Sequence, residues 1–125
     1  MAKNYVQPGQ VIDYTNGSGS SITSGTVIKM GNILGVAVAD IADGEQGSVA
    51  IEGVFTGPKV SAAVFAVGEK LIWDVSANTG AGAFDDSSAI PATGDITGGA
   101  VAVVAGEDAQ TTCTFKLTPG NTAVA

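Results

Sequence analysis

A chain of 125 residues with twelve carboxylates, five lysines and neither arginine nor histidine carries a net charge of −7. Neutralised phosphates supply most non-specific affinity for nucleic acid, and the arginine fork reads phosphate and guanine best, so nucleic acid is excluded as a partner. Without histidine, and with one cysteine, the chain cannot build Ser-His-Asp or Cys-His catalysis, a haem site or the usual zinc sites.

Only 14% of the residues are charged, against about 25% in ordinary soluble domains. With 45% apolar residues, 18 glycines and few aromatics, the expectation is one domain over residues 1–125 with a thin core and a surface partly covered by a partner. No apolar run reaches the length of a membrane span, and MAKNYVQPGQ has no apolar stretch like that of a signal peptide. Synthesis and assembly in a cytoplasm are expected, with no membrane partner.

In chain order, residues 1–10 read as an extended arm, and VIDYT (Val11–Thr15) as the first strand. NGSGSS (Asn16–Ser21) is a loop by composition, and TVIKM (Thr26–Met30) is a strand. From Gly35 an Ala/Val run leads through a polar turn holding Asp40, Asp43 and Glu45 into a second alternating run at Val49 and Ile51. KVSAAVFAVG (Lys59–Gly68) reads as a short helical turn or another strand, with the helical turn preferred. KLIWD (Lys70–Asp74) is a strand.

Ser76–Thr97 is small and polar with little periodicity, which predicts a long loop or irregular hairpin anchored by Phe84, Ile90 and Ile96. From Gly99 the earlier pattern returns at an offset of 64 residues: an Ala/Val run, a turn with Glu107 and Asp108, then alternation through Cys113 and Phe115. Both segments read as strand, acidic turn, strand. Cys113 falls on the inward face of its strand and reads as a small core residue.

The cluster Asp40, Asp43 and Glu45 admits two readings. Aspartate and glycine favour turns for conformational reasons alone, and the matching turn at Glu107 and Asp108 supports that. The rival is a small metal- or ligand-binding β-domain with the three carboxylates as ligands, although the spacing lacks the alternating pattern and distant glutamate of an EF-hand. No Gly-Lys pair exists to build a nucleotide phosphate loop, and Trp73 reads as core. No catalytic, cofactor-binding or metal-ligating residue is expected, and no enzyme.

The run ILGVAVADIADGEQGSVAIEGVFTGPK (Ile33–Lys59), followed by GEKLIWD (Gly68–Asp74) and preceded by MAKNYVQPG, resembles the capsid cement, or head decoration, proteins of tailed phages and prophages. Members of that family are sometimes labelled predicted recombinases, a label that the missing phosphate loop and arginines contradict here. The resemblance implies an accessory protein that binds the major capsid protein on the outer surface of a phage capsid, commonly as a homotrimer, and stabilises the shell. It brings no catalytic residues. The architecture expected is all-β: a small barrel or sandwich of about seven to nine short strands with at most one short helix, assembled as a trimer. An arm that adds a strand to a capsid edge is a further expectation, drawn from VQPGQVIDYT (Val6–Thr15).

Overall fold

The computed structural model describes residues 2–125; Met1, the first residue of the expected arm, lies outside the described residues. The protein is all-β. Ten strands occur among the described residues, slightly more than the sequence suggests, and they form two antiparallel sheets. The first sheet has the order β1-β4-β3-β2, from β1 (Val11–Thr15), β2 (Val27–Met30), β3 (Ile33–Ala37) and β4 (Gln46–Ala50). The second has the order β5-β9-β8-β6-β7, from β5 (Val54–Pro58), β6 (Lys70–Asp74), β7 (Ala83–Asp85), β8 (Ile96–Ala102) and β9 (Thr112–Leu117). The short β10 (Ala123–Val124) pairs with β8.

Without β7 and β10, the two orders are one topology written twice. β1 and β5 correspond at an offset of 43 residues, and so do β2 and β6. The register repeats as well: Val27 pairs with Val36 as Lys70 pairs with Val101, and Val36 pairs with Ala50 as Val101 pairs with Lys116. The offset is therefore 65 at the third strand and 66 at the fourth, so the 64 read from the sequence is corrected. The loops follow suit. Ile22 and Ile41 form an antiparallel bridge in the first unit, and Phe65 and Gly106 form it in the second.

The jump from 43 to 65 locates an insertion. Where the first unit turns from β2 to β3 through Gly31 and Asn32, the second inserts the patternless segment after Val75. Part of that segment is strand: β7 pairs with β6, and the sheet curls until β7 meets the end of β5 at the Lys59–Phe84 bridge. Of its three expected anchors, Phe84 and Ile96 are fully buried. Ile90 is 94% exposed and anchors nothing. It lies between half-buried Ala89 and exposed Pro91 in a stretch that pairs with no strand.

The main core fills the curled second sheet around Phe65, Leu71, Trp73, Phe84, Ala100 and Phe115, and takes in Val27, Leu34 and Val36 from the first sheet. Phe84 lies 4.5 Å from Phe115 and 4.8 Å from Trp73, ring centre to ring centre. Trp73 is thus core, and the tilted aromatic contacts offset the chain's poverty in aromatics. A second cluster of Ile28, Ala37, Ile41 and Val49 lies on the first sheet with Tyr14, Ile22 and Met30 packed against it.

The segment 59–68 contains no helix, which corrects the helical turn expected there. Lys59 and Phe65 are instead committed to bridges with Phe84 and Gly106, and single turns close at Val60–Ala63 and Ala66–Glu69. Pairing with β7 at one end and with the β8–β9 loop at the other overrides the local helix preference of the alanines. The only helical pieces among the described residues are the 3-10 turns Asn78–Gly80 and Pro119–Asn121.

Candidate functional site

The three carboxylates singled out in the sequence do not converge on a common point. Asp40 accepts the amide of Ser24 through Oδ1 at 2.7 Å, and Asp43 accepts that of Gly19 at 3.1 Å. Each therefore ties the β3–β4 turn to the β1–β2 loop. Glu45 lies exposed, and its backbone carbonyl accepts the Asn16 amide. Among the described residues no group of three or more His, Cys, Asp or Glu is placed to hold a metal ion. The turn reading accounts for Asp43 and Glu45, and the repeat explains why: Ala42 to Glu45 correspond in register to Glu107 to Gln110. The same 3.0–3.3 Å turn hydrogen bond closes both, and positive φ falls at Gly44 in one and Ala109 in the other.

Two buried polar residues missed in the sequence do the heavier bracing. Asn16 follows β1, is fully buried, and donates Nδ2 to the carbonyls of Ser20 at 2.8 Å and Ile41 at 2.9 Å. Its Oδ1 accepts from the amide and hydroxyl of Ser18. Lys59 stands at the equivalent place after β5, is 4% exposed, and donates Nζ to the carbonyls of Val60, Ser61 and Gln110 at 2.8–3.2 Å. Each side chain ties the loop that follows its own strand to the turn opposite. The only signal for this role is the repeat itself, which aligns Asn16 with Lys59.

A third buried polar group belongs to the insertion. Asp95 accepts the amides of Val75 and Ala92, and Lys29 reaches across from the first sheet to the Gly94 carbonyl at 2.6 Å. These bonds lash the insertion to both sheets. Glu69 accepts the amide and hydroxyl of Ser87 and the amide of Ala66, which hold its carboxyl below the usual range, the Ser87 amide foremost. Asp86 is likewise lowered, chiefly by the Ser88 hydroxyl. Both are ionised at neutral pH.

Cys113 is buried opposite Gly57 on β5, and burial pushes its thiol up to about 11, against a smaller opposing pull from Lys59. The thiolate is the reactive form. The native protein at pH 8 is therefore expected to leave a disulfide reagent such as DTNB unreacted for hours, with one thiol per chain released on unfolding in guanidinium. Rapid release from the native protein would contradict the burial.

What the surface offers is apolar and open rather than chemical. The arm Ala2–Gln10 is exposed throughout, with Tyr5 at 58% and Val6 at 88%. It leads into β1, which among the described residues pairs with β4 alone; the equivalent strand β5 pairs with β9 and is met at its end by β7 through the Lys59–Phe84 bridge. Val11 and Val54, equivalent residues, stand exposed at the starts of these two strands. Unpaired strand edges and exposed apolar side chains are features of association surfaces.

The sequence model of a family described as phage cement protein matches residues 6–117, from within the arm to the end of β9. The match spans both repeat units and the insertion between them. It is the family that the sequence was seen to resemble. No curated protein matches the chain.

Proposed function

The chain belongs to the phage cement protein family, and from that membership we propose that it binds the outer surface of a tailed-phage capsid as a homotrimer and stiffens the shell against its packaged DNA. The family match over residues 6–117 carries the reading. The physical chemistry supports it. A surface with 14% charged residues loses little solvation when it is covered, and three copies joined together multiply a weak contact with the capsid through avidity. In this reading the major capsid protein is the partner, the virion surface the location, and the role structural.

The arm deepens the same proposal. Nine residues reach about 30 Å at roughly 3.3 Å each, enough to add a strand to a neighbouring edge from any side of the domain. The arm therefore provides reach without fixing which face of the body lies on the shell.

Heads assembled without this protein, from the phage whose genome encodes it, provide the test. They are expected to take the protein up from solution to saturation and afterwards to release DNA at a higher temperature. Heads that bind none of it would overturn the proposal. Light scattering of the free protein should give a mass near three chains of 12.3 kDa; the mass of one chain would remove the preformed trimer and leave assembly to the capsid surface.

A further inference from the structure

The internal repeat provides a comparison within one molecule, because surface positions outside the insertion have twins in the other unit. At the loop end of the first unit the twins are polar or small: Ser21, Ser24 and Ala39. At the same positions the second unit carries Val64, Val67 and Val104, which are 57%, 66% and 54% exposed. The backbone is the same in both places. Gly25 and Gly68 share a φ of 87° and donate to the equivalent carbonyls of Ala37 and Ala102. Continuing the register of the Phe65–Gly106 bridge sets Val67 opposite Val104 and Val64 opposite Glu107. The fold therefore does not require these valines; the serines do the same structural work.

The surroundings of the valines are as one-sided as the valines themselves. Glu69 is hydrogen-bonded to the amides of Ala66 and Ser87, which brings Asp86, the neighbour of Ser87, to the same loop, while Glu107 and Asp108 occupy the facing turn. Lys59, the lysine of this loop, is buried with its amine on three carbonyls. The three valines thus share their loop end with four carboxylates against one exposed lysine, Lys70 at the start of β6. A second copy of this chain is a poor occupant, because it brings twelve carboxylates against five lysines, one of them buried. Like charges across an interface work against association.

We infer that this loop end of the second unit is the face laid on the major capsid protein, where it meets apolar side chains flanked by lysine or arginine. The inference rests on the capsid-binding reading above and names the face and the partner's chemistry. Burying three valines removes apolar area from water, and the excess of carboxylates on the same loops selects a basic rim and repels further copies of the chain. The first unit, with serines at the same positions, faces elsewhere.

The test uses the heads described above and three proteins: wild type, the double variant Val64→Asp/Val67→Asp, and Ser21→Asp, which places one carboxylate at the twin of Val64. All three positions are exposed, so melting temperatures should agree. The double variant is expected to lose at least about tenfold in affinity for heads, since a carboxylate buried without a partner is costly, while Ser21→Asp binds as wild type does. Binding by wild type should also weaken as salt rises. Equal binding by the double variant and wild type overturns the inference. So does a double variant whose solution mass falls while that of wild type and Ser21→Asp does not, since the valines would then lie between copies of the chain. Failure of wild type itself to bind would remove the capsid reading and this inference with it, an outcome distinct from a defect confined to the variant.

Discussion

Replacing Phe115 with alanine is expected to lower the stability of the fold by about 4 kcal/mol, within the range for large aromatic truncations in a core. Phe115 is fully buried on β9, lies 4.5 Å from Phe84 and 6.4 Å from Phe55, and presses on the bare backbone of Gly57 across the strand pair. Phe115 and these neighbours come from three strands, β9, β5 and β7, that meet where the second sheet curls closed. Collapse into the hole would have to bend that curl, so little relaxation is available. Against a total of about 5–15 kcal/mol for a domain, the loss should bring the urea midpoint down by about a quarter or more. A shift of less than about 1 kcal/mol would mean that the aromatic cluster is not the keystone of the second sheet.

The second large effect is expected at Lys59. Changing it to methionine keeps an apolar stem of similar length and removes only the ammonium, leaving the carbonyls of Val60, Ser61 and Gln110 without their donor. Bonds to a charged donor contribute about 1.5–3 kcal/mol, and abandoned buried acceptors add their own cost, so a loss of about 3 kcal/mol is expected. The measurement is again the urea midpoint, with amide hydrogen exchange as a local readout. The amides of Phe65 and Gly106, which hold the bridge between the two braced loops, should exchange faster than those of β8 and β9. An unchanged midpoint with unchanged exchange would show that water satisfies the three carbonyls and that Lys59 is not a brace.

Much of the strand pattern was legible because the runs are short, β-branched and punctuated by glycine. VIDYT is β1 residue for residue, KLIWD is β6, and TVIKM exceeds β2 by one residue. The two strand-turn-strand segments both form antiparallel pairs, β3 with β4 and β8 with β9. The complete repeat was not legible, because no single offset describes it. The equivalent residues drift from 43 to 65 to 66 apart, and an alignment at one spacing captures a hairpin and loses the rest.

Segment 59–68 misled for a different reason. A run of alanines after a proline favours a helix locally, whereas Lys59 and Phe65 are claimed by bridges to residues far away in sequence. Ile90 shows the opposite error, an apolar residue read as an anchor that faces solvent. The acidic turn at Asp40, Asp43 and Glu45 was read correctly as a turn by its composition. Its bonds to Ser24 and Gly19 across the loops could not be foreseen, because they depend on a pairing that spans half of the unit.

The unequal turns of the two units also bear on engineering. At the tip between β2 and β3 the chain reverses through Gly31 and Asn32, both exposed, and a side chain at Gly31 would meet nothing within 4 Å. Its twin accommodates the whole insertion from Val75 to the start of β8 with one irregularity, a shift of the β6–β8 register between Leu71 and Ile72, whereas β2 and β3 pair without a break. Lengthening an exposed loop costs only about 0.6 kcal/mol per doubling. The Gly31–Asn32 tip is accordingly the place to graft an epitope or a peptide tag, with every copy of the protein on a particle carrying one.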